Sequence, residues 1–351
     1  MSLSELSYSV LEKKYDNFIT PAMVMKINNI PISKLPGIYV SQVQVQLSLE
    51  SSCSASFTLE KVYDLETRTF YSAVKANCKL GSIVSIELGY GSSTKMVFYG
   101  YIHELAYSYS DAPSISVTAL DVRRLMMINQ ENRTFNDKSC AEIFKTVASK
   151  YKSVYQSLKV DLITTKEERV VQLGSDYDFI QKELCKRANK EFFVLAGTVY
   201  FQERSKNPIP LITLEWGENL FQFQFRQTYS NEEIVVYGID EKKMITIKEK
   251  VKADGSSKSL TTTPIKTEIV TPNTEDKKKL ERIAESEADK KKSKSKTGSG
   301  SCIGLPELVP GRYINIKNLG IDSGTLKAYI SSVKHSFDTN GFTTDFELGG
   351  D

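Results

Sequence analysis

The sequence predicts an α+β, mainly β protein: two similar small β-barrels, an α/β insert between them and a charged flexible segment inside the second barrel. Three observations predict it. Apolar and polar residues alternate over several runs in the first and last thirds; the middle third switches to a helical period; and the order of strand signals in the first third returns in the last.

Ile38 to Leu49 alternates Ile38, Val40, Val43, Val45, Leu47 and Leu49 with Ser and Gln, as a half-buried strand does. Further runs at Ile83 to Leu88, Met96 to Tyr109 and Ser114 to Leu120 are separated by the turn-forming Gly89-Tyr90-Gly91-Ser92-Ser93 and Ser110-Asp111-Ala112-Pro113. Strands at this spacing suit a barrel or sandwich. Between them, Leu65 to Ala76 is expected to be a short helix or a loop crossing one end. In the middle third, Cys140 to Tyr151 places Ile143, Phe144, Val147, Ala148 and Tyr151 on one helical face, with 136–139 as the cap and Glu142 in the first turn. Asp176 to Ala188 repeats the pattern with Phe179, Ile180, Leu184 and Ala188, and Phe192 to Phe201 reads as a hairpin. Strands resume over Leu211 to Lys248, with Leu220, Phe221, Phe223 and Phe225 and then Ile234 to Gly238.

Val251 to Ser301 is rich in Lys, Ser, Thr and Glu and nearly free of aromatics, too polar to order itself by burial, apart from a short helix over Asp276 to Ala288. Strands return from Val309. The boundaries that follow are an N-terminal arm over 1–18, a first barrel over 19–128, an insert over 129–208, a second barrel over 209–250 plus 302–351, and the Lys/Ser-rich segment 251–301.

The repeat is specific in its order. Gly81-Ser82-Ile83-Val84-Ser85-Ile86, Gly100 to Tyr109 and Ile115 to Leu120 are matched by Gly311-Arg312-Tyr313-Ile314-Asn315-Ile316, Ala328 to Phe337 and Phe342 to Leu348. Three copies of such a chain would present six similar barrels in a ring, a geometry for docking a threefold object onto a sixfold one.

At 351 residues the chain is long enough for two or three domains, and 40% hydrophobic with 25% charged residues is ordinary globular composition. The balance of 46 Lys+Arg against 43 Asp+Glu, net +3, excludes a dedicated nucleic-acid binder with a basic face. The five cysteines have neither framework nor zinc spacing, which points to synthesis in a reducing cytoplasm. No leader peptide is expected from the first fifteen residues, and no run of 18 apolar residues occurs in the sequence.

Chemistry-bearing motifs are absent: there is no G-x-S-x-G, H-E-x-x-H, P-loop or G-x-G-x-x-G. The two histidines, His103 and His335, are expected at equivalent places in the repeat, hydrogen-bonded across a barrel rather than catalytic. Glu203, Glu215 and Glu218 are strand-edge carboxylates whose expected role is solvation. Because glycosidic carboxylate pairs come from distant positions, a cell-wall-degrading peptidoglycan hydrolase stays open as the alternative. No catalytic, cofactor or metal residue is assigned, and the mixed charge run Lys277 to Lys296 reads as a solvated loop. Trp216 is expected to be a core or interface anchor.

Four stretches carry a family resemblance: Val117 to Leu125, Ser175 to Ile180, Trp216 to Leu220, and Val333 to Phe337 with Gly341 to Thr344. With the Leu308-Val309-Pro310-Gly311 turn, the chain resembles the late control gene D family, the central hub proteins of contractile phage tails, which are similar in turn to the hub half of type VI secretion spike proteins. The resemblance implies a non-enzymatic homotrimer at the centre of a baseplate, lying between a hexameric tail tube or tube-initiator protein and a trimeric spike, among other baseplate components. It implies synthesis in a bacterial cytoplasm, assembly into a phage tail, tail-like bacteriocin or other contractile injection system, and release by lysis. Ending at Gly349-Gly350-Asp351, without a spike domain, the sequence predicts that the spike is a separate chain. Trp216, Phe221, Phe223, Phe225 and His335 are the expected contacts between chains or with the spike.

Overall fold

The computed structural model describes residues 5–35, 38–203, 209–229, 232–240, 245–252, 263, 265–271, 277–278, 280–281, 283–285, 287–288, 296–320 and 324–349. In the first third, helix α1 (Tyr8–Lys14) precedes strands β1 (Pro21–Ile27), β2 (Ile30–Pro31), β3 (Tyr39–Ser48) and β4 (Ser54–Glu60). A small hairpin, β5 (Tyr63–Asp64) and β6 (Thr69–Phe70), and helix α2 (Ser72–Asn77) then lead into β7 (Ile83–Tyr90), β8 (Ser93–Ser108) and β9 (Ser114–Leu120). The stretch 65–76 is therefore part hairpin and part helix. On β3, Val43, Val45 and Leu47 are buried while their neighbours are not, as the alternation requires.

The middle third holds α3 (Val122–Ile128), β10 (Arg133–Ser139), α4 (Cys140–Ser149), β11 (Ser157–Val160) and β12 (Lys166–Gln172), then α5 (Asp176–Phe179). A π-helical turn over Ile180–Leu184 continues into α6 (Cys185–Ala188), and β13 (Glu191–Leu195) and β14 (Thr198–Gln202) form the expected hairpin. A capping box starts α4 at the expected place: the Glu142 N–H donates to Ser139 Oγ, and the Ser139 N–H donates to Glu142 Oε2 at 2.8 Å. Phe144, Phe179, Phe192 and Phe201 centre an apolar core of this region that is distinct from the core of the large sheet.

In the last third come β15 (Thr213–Glu215), β16 (Leu220–Gln227), β17 (Glu232–Asp240), β18 (Ile245–Lys252), β19 (Ile265–Thr271), β20 (Lys296–Ile303), β21 (Tyr313–Lys317), β22 (Thr325–Asp338) and β23 (Gly341–Leu348). Two expectations are corrected here. The end of the charged segment is strand β20, seated between β16 and β23, so the second sheet unit begins before Cys302. β17, expected in the second barrel, instead forms a separate three-stranded sheet with β18 and β19. Leu280, Ala284 and Ala288, on the expected helical spacing, pack against Ile234 and Val236 of β17, so part of the charged segment does find apolar cover.

Among the described residues, thirteen strands join in one antiparallel-dominated sheet along the path β16-β20-β23-β22-β3-β4-β9-β8-β7-β1-β2, with β15 and β21 attached through β22. The path is open where two closed barrels were expected. The physical reason is the partner choice of β3: its second edge pairs with β22 of the other unit over Ser48↔Ser332 to Val43↔Phe337.

The strand order of the sequence repeat is present in the pairing. β3-β4-β9-β8-β7-β1 in the first unit corresponds to β16-β20-β23-β22-β21-β15 in the second, and only the outermost pairing differs in direction. Equivalent irregularities coincide. A β-bulge falls between Ile102 and Glu104 on β8 and between Ile330 and Ser332 on β22, the same repeat position. Gly81 and Gly311, both at positive φ, receive matching backbone bonds: each N–H donates to the carbonyl of the isoleucine before the bulge, Ile102 or Ile330.

Candidate functional site

Side-chain clusters tie the units into one body. Asp121, N-cap of α3, and Arg123 are both fully buried: Arg123 Nη2 donates to Asp121 Oδ2 at 2.7 Å and Nη1 to the Ser48 carbonyl at 2.9 Å, while the Cys53 N–H donates to Asp121 at 2.8 Å. Burial works against the Arg123 charge, but the Asp121 carboxylate outweighs it and keeps the guanidinium protonated. Burial pushes the Cys53 thiol up to about 12, so this cysteine is an inert core residue. In the insert, the buried Asp176 carboxylate accepts from Lys150 at 2.6 Å, Tyr151 at 2.5 Å, Gln172 at 2.7 Å and Asn129 at 2.9 Å. Burial would raise its pKa, yet these donors together hold it below the ordinary range, so Asp176 is a saturated structural anion rather than an acid catalyst. Tyr177 reaches across to the Glu50 carbonyl, joining insert to sheet.

The β3·β22 seam gives the sheet two continuous faces. One is apolar: Phe223, Gly300, Phe346, Val333 and Leu47 lie in register from β16 to β3, and His335, Val45, Ala55, Ala119 and Ile102 from β22 to β8. The other is polar: Gln222, Ser301, Asp345, Lys334 and Gln46 cross the second unit, and Gln44, Ser56, Thr118 and Glu104 the first. On the polar side lies a trough of about 470 Å³ lined by Gln46, Gln222, Gln224, Lys334 and Asp345, with Phe223 and Phe346 also at its wall. Its acidic and basic groups are opposed in register, as Lys334 is to Asp345. Among the described residues, no group of three His, Cys, Asp or Glu is placed to hold a metal, and no helix is long and apolar enough to cross a membrane.

The five expected contact residues separate. Trp216 and Phe221 are half to largely exposed, at 46% and 55%. Phe221 sits at a β-bulge, which breaks the alternation and turns it away from the core. Phe223 and Phe225 are partly covered and stack at 6.4 Å, Phe223 against the main core. His335 is a correction: it is fully buried in the chain's own core, with Nδ1 2.9 Å from Thr344 Oγ1, because its repeat position points to the apolar face. Nor are the two histidines equivalent. His103 lies at the bulge and matches Ser331, whereas His335 matches Tyr107.

The sequence reading missed Asp121, Arg123 and Asp176 as organising residues, although all three lie inside the stretches that carried the family resemblance. The signal was there in local form: an Asp or Ser-Asp immediately before a helical run is an N-cap, and a buried arginine two residues later needs that anion. Among the described residues, the two edges that the repeat would pair have no strand partner: the outer edge of β16, and β8 beyond its bulge, Glu104 to Ser108.

A family model described as the Alg8 N-terminal domain matches residues 22–339. No curated protein matches the sequence. Among solved structures, the 43 kDa tail protein of prophage MuSo2 from Shewanella oneidensis is similar with TM-score 0.69 and 15% identity over 94% of this chain and 98% of that one. A tail protein from Neisseria meningitidis MC58 gives 0.71 and 11% over 94% and 96%. The E. coli c3393 protein, a component of the type VI secretion system, gives 0.57 and 13% over 92% and 76%. The fold is one shared by phage tail proteins and a type VI secretion component, as the late control gene D resemblance implied.

Proposed function

The chain belongs to the Alg8 N-terminal domain family, and from that premise we propose that it is the structural baseplate hub of a contractile phage tail or tail-like particle. In this reading three chains form a ring of six barrel-like units that joins the hexameric tail tube to a separate trimeric spike. One observation carries it: a single chain contains the same strand order twice, with the same bulge and the same glycine turn, on the fold of phage tail proteins. A chain with two equivalent units converts threefold symmetry into approximate sixfold symmetry, which is what a joint between a trimer and a hexamer needs.

The work of such a joint is rigid complementarity. The seam strands and the buried ion pairs resist shear, while the polar face presents Ser, Gln, Lys334 and Asp345 beside Phe223 and Phe346. The protein would be made in a bacterial cytoplasm and built into the particle with tube, spike and other baseplate components. The native mass of the purified full chain tests this. A mass three times 39.5 kDa supports the hub; a monomer at every concentration overturns it.

A further inference from the structure

The seam between the two units is a template for a second seam. Within the chain, β22 leaves β21 at the bulge around Ser331, and its next six residues, Ser332 to Phe337, pair with Ser48 to Val43 of β3. β8 does the same up to a point: it pairs with β7 as far as Tyr101, bulges at His103, and then presents Glu104 to Ser108, with Tyr109 following, on an edge that has no strand partner among the described residues. These residues are the repeat equivalents of Ser332 to Phe337. The equivalent of β3 is β16. Val45 pairs with Ala55 and Phe225 with Gly298, and Ala55 and Gly298 meet the repeat-matched Ala119 and Leu348. Phe223 to Thr228 thus takes the place of Val43 to Ser48. Each chain has one β3-like edge and one β22-like edge left over, so the two leftover edges complete one another only between copies, head to tail.

We propose that Glu104–Tyr109 of one copy pairs antiparallel with Phe223–Thr228 of the next, in the register of the internal seam, with Tyr107 opposite Phe225 and Tyr109 opposite Phe223. This deepens the hub reading and rests on it. The side chains fit the register. Tyr107 and Tyr109 are 51% and 70% exposed, held upright by Phe70 at 5.3 and 6.0 Å, and they meet Phe225 and Phe223 as two aromatic cross-strand pairs on the apolar face. On the polar face Ala106 faces Arg226, and the exposed Glu104 stands one diagonal step from Arg226, opposite in charge. A register two residues off would set Ala106 against Gln224 and Glu104 directly against Arg226, but would leave Tyr109 facing Phe221, which the bulge turns away, so the aromatic pairs and not the charges select the seam register.

Cysteine cross-linking of the full chain tests the register, because the five native cysteines are all buried. A106C/R226C under mild oxidation should give reducible bands of two and three chains, a mixture of the two single variants should stop at two, and each single variant alone should give neither. Stronger cross-linking by the slipped pair A106C/Q224C overturns the register. A threefold native mass with no A106C/R226C cross-link overturns the seam and leaves the hub standing, whereas a monomeric parent chain overturns both. As an independent measurement, E104R should reduce the threefold species and E104R/R226E should restore it; a double variant no better than E104R overturns the pairing.

Discussion

Arg123 shows how much a single buried charge can demand. It is fully buried with Asp121, and removing one partner leaves the other uncompensated, which costs far more than the pair itself contributes. R123M should therefore lower the unfolding free energy by about 3–5 kcal/mol in urea titration, and D121N/R123M should recover part of that loss. His335 is the other residue whose burial has a measurable consequence. Burial first, and the nearby Lys95 ammonium second, hold its imidazole neutral down to about 3 from the usual 6.5. The folded pKa lies below the unfolded one, so the unfolded chain takes up the proton first. Stability is complete above pH 6.5 and falls as the pH drops toward 3, at a slope approaching about 1.4 kcal/mol per pH unit. H335N, which keeps an atom placed to bond Thr344, should melt with a flatter pH dependence between pH 6.5 and 5 than the parent; parallel profiles would remove His335 as the cause.

At the scale of elements, α4 and the 191–202 hairpin were legible because their signals are local: a capping box, a 3.6-residue period and a two-residue turn. β20 was not legible. Its run Lys-Thr-Gly-Ser-Gly-Ser has the composition of a flexible linker. The structure supplies the missing reason for those glycines: a Cβ on Gly300 would lie 2.5 Å from the Phe346 ring, and one on Gly298 would lie 2.7 Å from the Gln224 carbonyl. A strand flanked by large aromatic side chains needs small residues, and smallness in one dimension of the sequence is indistinguishable from flexibility. G300A should cost about 1–3 kcal/mol by overpacking against Phe346 and should raise hydrogen exchange across β20 and β16; exchange equal to the parent would show that the ring gives way freely.

For the whole molecule, assembly should depend on the two open edges and not on exposed aromatics in general. Y107D, on β8, and F223D, on β16, should each reduce the threefold native mass, while F221D, equally aromatic but turned aside at its bulge, should leave it intact. Melting temperature separates the cases: Tyr107 is half exposed, so Y107D should lose assembly with little loss of fold, and equal defects in all three variants would contradict edge-specific joining.

The β class, the helical insert, the cap of α4 and the order of the repeat were determined by the sequence itself, because alternation, period and capping are properties of neighbouring residues. Tertiary structure alone decided that β3 pairs with β22 instead of closing its own unit, that β17 leaves for a separate sheet, that His335 is core and not contact, and that Asp121 and Arg123 share one buried site. Each of these depends on which distant edge or charge arrives first at the lower free energy. A strand's pattern specifies which face it buries, and says nothing about which partner satisfies its edge.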